Sequence, residues 1–265
     1  MIGMIKIIPK KTIVAEIECN LKSLSKNDIT KIKSCLIKYG LIYFRKQKLN
    51  SKEYLKFSKI FGKPAFYPRL RGLSKKYPQI TVVQRKSTDK GPSFGEQFHT
   101  DSSYTKKPPK FTMLFSKIVP RKGLGNTDFS SQYLAYKHLP LKLKNKLKNL
   151  KGVFSSNGPI VKTTIERTKE KGNLKKELIA KHKIIRSING KKTLYCSPGH
   201  LISFNKSVKN FNNLKKVLFK HQTKKQFQYS LEWEKDQIAI WDNRSMLHQA
   251  TAFNGNRKMH RITIQ

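Results

Sequence analysis

The stretch WDNRSMLHQATAFNGNRKMHR, residues 241–261, is the most informative part of this 265-residue chain. It follows an apolar, strand-like run at residues 238–241, and it contains His248 and, further on, Arg257 and Arg261. Side chains separated by an even number of positions on a strand point to the same face. We therefore expect the two arginines to project from one face of the last strand, where they could hold anions beside the histidine.

A second motif, FHTD at residues 98–101, adds another histidine and a carboxylate. A His-x-Asp step is a weak signal by itself, because such steps occur by chance. If the motif lies in a strand, His99 and Asp101 project from one face. With His248 they would complete a set of two histidines and one carboxylate, which on Fe(II) leaves positions open for a co-substrate and O2. The two motifs together predict an iron enzyme.

The hydrophobic pattern predicts many short strands and a few helices. Ser25 or Asn27 can cap the first helix, and Gly40 can end it. The predicted helices are residues 25–39, residues 51–62, a helix beginning at 130, a helix beginning at 140, and residues 208–221. The predicted strands are residues 41–44, 80–83, 111–119, 183–188, 193–196, 226–233, 237–241 and 259–264. This order favours a mainly β fold with flanking helices, a double-stranded β-helix or jelly roll, whose mouth holds the metal.

Length and composition indicate one globular domain over residues 1–265, with 37% hydrophobic and 10% aromatic residues. Residues 157–181 are polar and rich in Lys and Glu, as a lid or an insertion within that domain would be. No run approaches the roughly 18 apolar residues of a membrane span. The three cysteines, Cys19, Cys35 and Cys196, are odd in number and widely spaced, which favours reduced thiols and a cytoplasmic location.

The formal net charge of +42 is the unusual quantity in the composition. Such a charge ordinarily suggests nucleic acid or an anionic membrane surface as a partner. Lysine, however, is spread through almost every segment beside abundant Ile and Asn, as coding bias toward A+T-rich codons would produce. We expect no nucleic-acid partner, although the charge should steer small anions toward the site.

Four blocks of sequence carry a family resemblance. They are FHTDSSY (98–104), GLGNTDFSSQYLAYKHLP (123–140), KKTLYCSPGH (191–200), and WDNRSMLHQAT with NRKMHR (241–261). In this order they resemble the taurine dioxygenase and 2,4-dichlorophenoxyacetate dioxygenase family of Fe(II)/2-oxoglutarate oxygenases. The resemblance implies the double-stranded β-helix, with Fe(II), 2-oxoglutarate and O2, and hydroxylation of a small anionic substrate with release of succinate and CO2. The resemblance is also compatible with assembly of the protein into a homo-oligomer.

The resemblance also assigns roles to single residues. It implies His99, Asp101 and His248 as iron ligands. It places Arg257 at the distal carboxylate of 2-oxoglutarate, with the Thr127 hydroxyl donating to the same group. Arg261 would hold the acidic group of the primary substrate, and Tyr67 would be a second substrate contact.

Two departures from the family pattern concern the substrate. Taurine-specific members carry His where this chain has Tyr67, and Asn where it has Gly95. Both differences remove groups that contact the aminosulfonate, which argues against taurine itself. A sulfonate, a carboxylate or a sulfate ester remains the expected class, because Arg261 calls for an anion.

Each assignment has a structural alternative. His99 and Asp101 could be a chance pair on a surface strand, and the two arginines could be solvated cations. Thr127 could be an ordinary strand residue and Tyr67 a packing residue. At the level of function, the alternatives are a nucleic-acid oxygenase with the same iron chemistry and a non-catalytic anion-binding barrel. The second would require a broken ligand set, and all three candidate ligands are present.

Overall fold

The structure is a computed structural model that describes residues 5–67, 70, 72–161 and 176–265. The α-helices in these residues are α1 (Lys26–Tyr39), α2 (Ser51–Ser58), α3 (Gln132–Lys137), α4 (Leu141–Leu147) and α5 (Phe211–Gln222). The strands are β1 (Lys6–Lys11), β2 (Val14–Glu18), β3 (Leu41–Phe44), β4 (Pro64–Ala65), β5 (Thr81–Arg85), β6 (Phe111–Ile118), β7 (Thr127–Ser131), β8 (Lys151–Ser155), β9 (Ile179–Lys183), β10 (Ile185–Ile188), β11 (Lys191–Leu194), β12 (Leu201–Phe204), β13 (Gln228–Leu231), β14 (Ile238–Asp242), β15 (Met246–Ala250) and β16 (Arg257–Ile264).

An eight-stranded sheet forms one layer, in the order β1-β2-β3-β14-β6-β16-β4, with β5 also paired to β16. Its central strand β14 is buried at every position, because both faces of the sheet are covered. Ile238 and Ile240 pack on one face among residues of α1 and α2. Ala239 and Trp241 alternate to the other face and join a second cluster. The period-two pattern of this strand therefore decides which side chains can face the site.

The second layer is the three-stranded sheet β13-β7-β15, which faces the large sheet. Phe129 of β7, Leu231 of β13 and Met246 of β15 pack in one buried cluster with Trp241 and Met259 of the large sheet. A further sheet, β12-β8-β9, and the hairpin β10-β11 pack around a third cluster with α3 and α5. The architecture is mainly β with flanking helices, as predicted.

The first helix shows how local chemistry sets an element's ends. The Ser25 side chain accepts a hydrogen bond from the Asp28 amide, and the Asp28 carboxylate accepts one from the Ser25 amide. Of the two predicted caps, the structure uses Ser25, in a capping box. Gly40 ends the helix at φ 81°, and a Cβ there would lie 3.2 Å from the Met246 side chain. The turn into β3 thus favours glycine because of its left-handed conformation.

Several predicted boundaries differ from the structure. The helix expected from residue 130 begins at Gln132, because residues 127–131 pair with β13 and β15 and the Ser131 side chain caps the helix. The single strand expected over residues 183–188 is two strands, β9 and β10. Of the predicted lid at 157–181, residues 162–175 lie outside the described part, while residues 179–181 belong to β9 and pair with β8. No helix in the described ranges has the length and apolar character to cross a membrane.

Candidate active site

Three side chains meet in the buried space between the two facing sheets: His99, Asp101 and His248. The Nε2 atom of each histidine lies 3.8 Å from Asp101 Oδ1. One ligand atom from each residue falls within 4.8 Å of the other two. This spacing lets two imidazoles and one carboxylate reach a single cation, and the donor set suits Fe(II).

The backbone brings the three candidate ligands together through a bridge and a turn, without a strand that contains both His99 and Asp101. His99 forms an isolated bridge with His248, with amide-to-carbonyl distances of 3.0 and 2.9 Å, and Asp101 lies in the turn that follows. The left-handed Ser102, at φ 46°, belongs to that turn. The condition considered for the sequence, a strand that contains both His99 and Asp101, is therefore not met. Cross-strand pairing aligns the two histidines, and the turn directs the carboxylate back to them.

Burial prepares both imidazoles to act as ligands, and a hydrogen bond also orients the ring of His99. His99 Nδ1 lies 2.7 Å from the Gln97 carbonyl oxygen, which can only accept, so the ring proton sits on Nδ1 and Nε2 keeps its lone pair. Burial lowers the pKa of His99 and lowers that of His248 well below its usual value. Burial raises the pKa of Asp101, but opposing effects, the largest of them from the Arg261 guanidinium, outweigh it and hold that pKa below its usual range. The set is thus two neutral imidazoles and one carboxylate.

Arg257, on β16, is a buried guanidinium that makes no salt bridge to any acidic group of the described chain. Burial lowers its pKa to about 10. Its Nη2 atom lies 3.3 Å from Thr127 Oγ1, and its Nε atom has no hydrogen-bond partner within the described residues. Thr127 Oγ1 also accepts from Trp233 Nε1 at 2.9 Å. With Arg257 and Trp233 as donors, the Thr127 hydroxyl proton is left for an acceptor in the cavity.

Arg261 lies on the same strand as Arg257, and it too is buried. Its Nη2 atom is 2.9 Å from Asp101 Oδ1, and its guanidinium lies 4.2 Å from the centre of the Tyr67 ring. Burial lowers the pKa of Arg261, but Asp101 and Tyr67 outweigh this effect and raise it. The guanidinium therefore stays charged within reach of both the ligand carboxylate and the cavity.

Two cavities meet at the His/Asp cluster. One is lined by Thr127, Arg257 and Arg261, and the other is lined by Tyr67 and His200. Both are also lined by Phe94, Gly95, His99 and Asp101. A metal at the cluster could therefore be approached by two molecules from different sides.

The Gly95 backbone lies close to the His99 imidazole ring. Its φ is 80°, and a Cβ would lie 3.1 Å from His99 Cε1. A larger residue at this φ would be strained and would press on the imidazole ring. The glycine that distinguishes this chain from the taurine-specific pattern is therefore fitted to the local backbone.

All seven residues singled out from the sequence lie at these two cavities. Sequence reasoning missed Trp233, which donates to Thr127, and His200, whose Nδ1 lies 3.2 Å from Ser197 Oγ. His200 ends the block KKTLYCSPGH, so its position within a matching block was a usable signal. Trp233 carries no such signal, since only the β13–β7 pairing brings its neighbourhood next to Thr127.

Comparison with known proteins agrees with this site. The family described as "Taurine catabolism dioxygenase TauD, TfdA family" matches residues 7–263. An alkylsulfatase of Acinetobacter baylyi is 27% identical over 91% of this chain and 78% of its own length. An alpha-ketoglutarate-dependent 2,4-dichlorophenoxyacetate dioxygenase of Cupriavidus pinatubonensis is 23% identical over 91% of this chain and 90% of its own. An alpha-ketoglutarate-dependent sulfate ester dioxygenase of Pseudomonas putida is 26% identical, covering 88% and 79%.

Solved structures support the fold. A taurine dioxygenase from Burkholderia xenovorans superposes with a TM-score of 0.82 at 24% identity, covering 98% of this chain and 89% of its own. The AAD-2 protein has a TM-score of 0.79 at 21% identity, covering 99% and 97%. These likenesses confirm the jelly-roll fold that the strand order predicts. Because the family model matches almost the whole length of the chain, the chain belongs to the TauD/TfdA family of dioxygenases that depend on Fe(II) and 2-oxoglutarate.

Proposed function

We propose that this dioxygenase hydroxylates a small anionic organic substrate, a sulfonate, a carboxylate or a sulfate ester. The observation that carries the proposal is the pair of buried guanidiniums, Arg257 and Arg261, on one strand beside the His/Asp cluster. Unpaired charges are expensive to bury, so a buried cation indicates an anionic ligand. Arg257 has no acidic partner among the described residues, and the only carboxylate there that Arg261 contacts is that of Asp101, which also faces the histidines. This excess of positive charge beside two cavities suits a reaction with two anionic reactants.

In this proposal His99 Nε2, Asp101 Oδ1 and His248 Nε2 hold the iron. Bound Fe(II), with 2-oxoglutarate and O2, supplies the oxidising chemistry and yields succinate and CO2. The protein's own contribution is to orient the reactants and to exclude water. Trp241 and Phe129 serve the second task, because their rings pack against His248 at 4.7 and 6.1 Å between centroids.

Arg257 would bind the distal carboxylate of 2-oxoglutarate. A guanidinium suits this task, because its planar fork pairs with both carboxylate oxygens. Its Nε has no partner among the described residues, and the Thr127 hydroxyl proton is available for the same carboxylate. The anion would remove the cost of leaving this cation buried without an acidic partner.

Arg261 would bind the acidic group of the primary substrate, together with the Tyr67 hydroxyl. The Arg261 guanidinium contacts Asp101 Oδ1 through Nη2, while its Nη1 has no hydrogen-bond partner in the described part of the chain. The relatives named for sulfate esters and for 2,4-dichlorophenoxyacetate also act on small anions. Their names support the substrate class but do not distinguish among its members.

The experiment is a coupled assay of the anaerobically iron-loaded protein with 2-oxoglutarate, in which succinate formation and O2 consumption are followed. The panel contains sulfonates, carboxylates, sulfate esters and methylated oligonucleotides. We expect substrate-dependent succinate formation with at least one small acid. Turnover with the oligonucleotides alone would overturn the proposal in favour of a nucleic-acid oxygenase. The Arg257→Ala variant should mainly weaken 2-oxoglutarate binding, and Arg261→Ala should mainly weaken substrate binding; the reverse result would exchange the two roles.

A further inference from the structure

A chain of three buried polar side chains leads to the side of Asp101 that faces away from the histidines. Trp241 Nε1 donates to Asn243 Oδ1 at 3.0 Å, and Asn243 Nδ2 donates to Thr112 Oγ1 at 2.8 Å. Thr112 Oγ1 in turn donates to Asp101 Oδ2. Trp241, Asn243 and Thr112 are each at most 1% exposed, so bulk water does not compete for these bonds.

The donor and acceptor of each hydrogen bond in this series are fixed by chemistry. An indole N–H can only donate, so the amide oxygen of Asn243 must face Trp241 and the amide nitrogen must face Thr112. The Thr112 oxygen accepts from that amide, and a hydroxyl has a single proton to give. That proton must therefore go to Asp101 Oδ2.

The fold fixes the same groups from two sides. Trp241 and Thr112 are directly paired neighbours on β14 and β6. The backbone amide of Asn243 donates to the Lys110 carbonyl oxygen at 2.8 Å, and the backbone carbonyl oxygen of Asn243 accepts from Thr100 Oγ1. Thr100 lies between the two candidate ligands of FHTD. Asn243 thus connects the turn that carries Asp101 to the large sheet. The hydrogen-bonded side chains of Trp241, Asn243 and Thr112 are therefore held in a fixed position relative to Asp101.

We propose that Thr112, Asn243 and Trp241 are positioning residues that make Asp101 a one-oxygen metal ligand. Oδ1 is the oxygen that faces both histidines, and Oδ2 is reserved by the Thr112 hydroxyl. The inference rests on the ligand assignment of the proposed function. A carboxylate that used both oxygens would occupy a position that the bidentate co-substrate or O2 requires. Trp241 and Asn243 of the motif Trp-Asp-Asn-Arg then have a chemical role beyond packing.

The test is Thr112→Val, which keeps the shape and strand preference of the side chain and removes the donor. The metal alone is used as the probe: Co(II) is titrated under anaerobic conditions, and its visible absorption reports the coordination. Loss of a hydrogen-bonded partner behind a metal ligand typically weakens metal binding by about 10- to 100-fold. We expect a loss of that size together with a changed Co(II) spectrum. Thr112→Ser, which restores the hydroxyl, should recover both.

Two further variants separate positioning from damage to the fold. Thr193→Val makes the same change at a fully buried threonine of the β10–β11 hairpin, outside the site, and should leave the affinity and the spectrum unchanged. Asn243→Ala removes the group that directs the Thr112 proton. Since it acts through Thr112, its effect on Co(II) affinity should be much smaller in the Thr112→Val background than in the wild type.

The outcomes distinguish this inference from the proposed function. Wild-type affinity and spectrum in folded Thr112→Val would overturn the positioning role, even with Co(II) binding still dependent on His99 and His248. Additive effects of the Thr112 and Asn243 changes would also overturn it. Co(II) binding that survives removal of His99 or His248 would instead refute the ligand assignment, and the positioning role would fall with it.

Discussion

Replacing Arg257 by Met should stabilise the free protein while it abolishes the response to 2-oxoglutarate. Burial lowers the pKa of Arg257 to about 10 from an ordinary 12.5, a difference equivalent to about 3 kcal/mol of unfavourable free energy for the charged form. Because the folded-state pKa is the lower one, this cost is fully present below pH 10 and is relieved only above it. At neutral pH the free protein therefore carries the whole cost.

The variant also loses favourable contacts. These are the hydrogen bond to Thr127 at 3.3 Å and the approach to the Trp233 ring at 5.8 Å, together worth about 1–2 kcal/mol. A net gain of about 1–2 kcal/mol remains, which in a protein of this size raises the melting temperature by roughly 2–8 °C. Calorimetry of the metal-free proteins measures this gain.

The same instrument measures the response to the co-substrate. With Mn(II) present, 2-oxoglutarate at about 100 times its Kd should stabilise the wild type by about 2.7 kcal/mol, and the Arg257→Met variant should show almost no shift. Arg85, the β5 residue paired with Arg257, is the matched control. Its guanidinium already donates to the carbonyl oxygens of Gly91 and Asp89, so Arg85→Met should lower stability and keep the shift. A less stable Arg257→Met protein that still responds to 2-oxoglutarate would refute the reasoning.

Three other changes have defined outcomes. His248→Ala should abolish stoichiometric Fe(II) binding and turnover while circular dichroism stays native, and persistent 2-oxoglutarate turnover would remove His248 from the ligand set. Gly95→Ala should weaken metal affinity, measured by Co(II) titration, because the added Cβ would lie 3.1 Å from His99 Cε1; unchanged affinity would mean that the loop relaxes. Raising the salt concentration from about 50 to 500 mM should lower kcat/KM for an anionic substrate severalfold, with little change in kcat. The reason is that the net charge of +42 attracts anions over a distance that salt shortens. A kcat/KM that does not depend on salt would show that this charge does not steer the substrate to the site.

The candidate site could be predicted from the sequence because its chemistry depends on rare residue types in short motifs. His99, Asp101 and His248 are identifiable as a possible ligand set without knowledge of the backbone. The geometry that unites them could not be read in the same way. The sequence leaves the conformation of FHTD open, and the structure has a bridge to His248 followed by a turn. Side-chain chemistry is local information, but a cross-strand bridge depends on a segment about 150 positions away.

The supporting residues show the same limit more clearly. Thr112 lies in a run that reads as an ordinary buried strand, and its role follows from the register that sets it beside Trp241. Trp233 reaches Thr127 only because β13 pairs with β7. Strand existence follows from local hydrophobic periodicity, whereas register is set by the packing of whole sheets. Residues whose function depends on strand register therefore cannot be identified from sequence motifs alone.

The charges of the site favour a substrate with a single negative charge. Within the described residues, the carboxylate and guanidinium groups lining the two cavities belong to Asp101, Arg257 and Arg261. Burial keeps His99 and His248 neutral, and the third histidine of the lining, His200, is counted as neutral in this balance. The protein groups thus carry one net positive charge, and Fe(II) raises it to three. The 2-oxoglutarate dianion reduces it to one, which a monoanionic sulfonate, sulfate ester or carboxylate neutralises. A neutral substrate would leave one net positive charge in a water-poor cavity, where a net charge is costly. A dianionic substrate would leave one net negative charge there. Among small acids, the singly charged ones fit this balance.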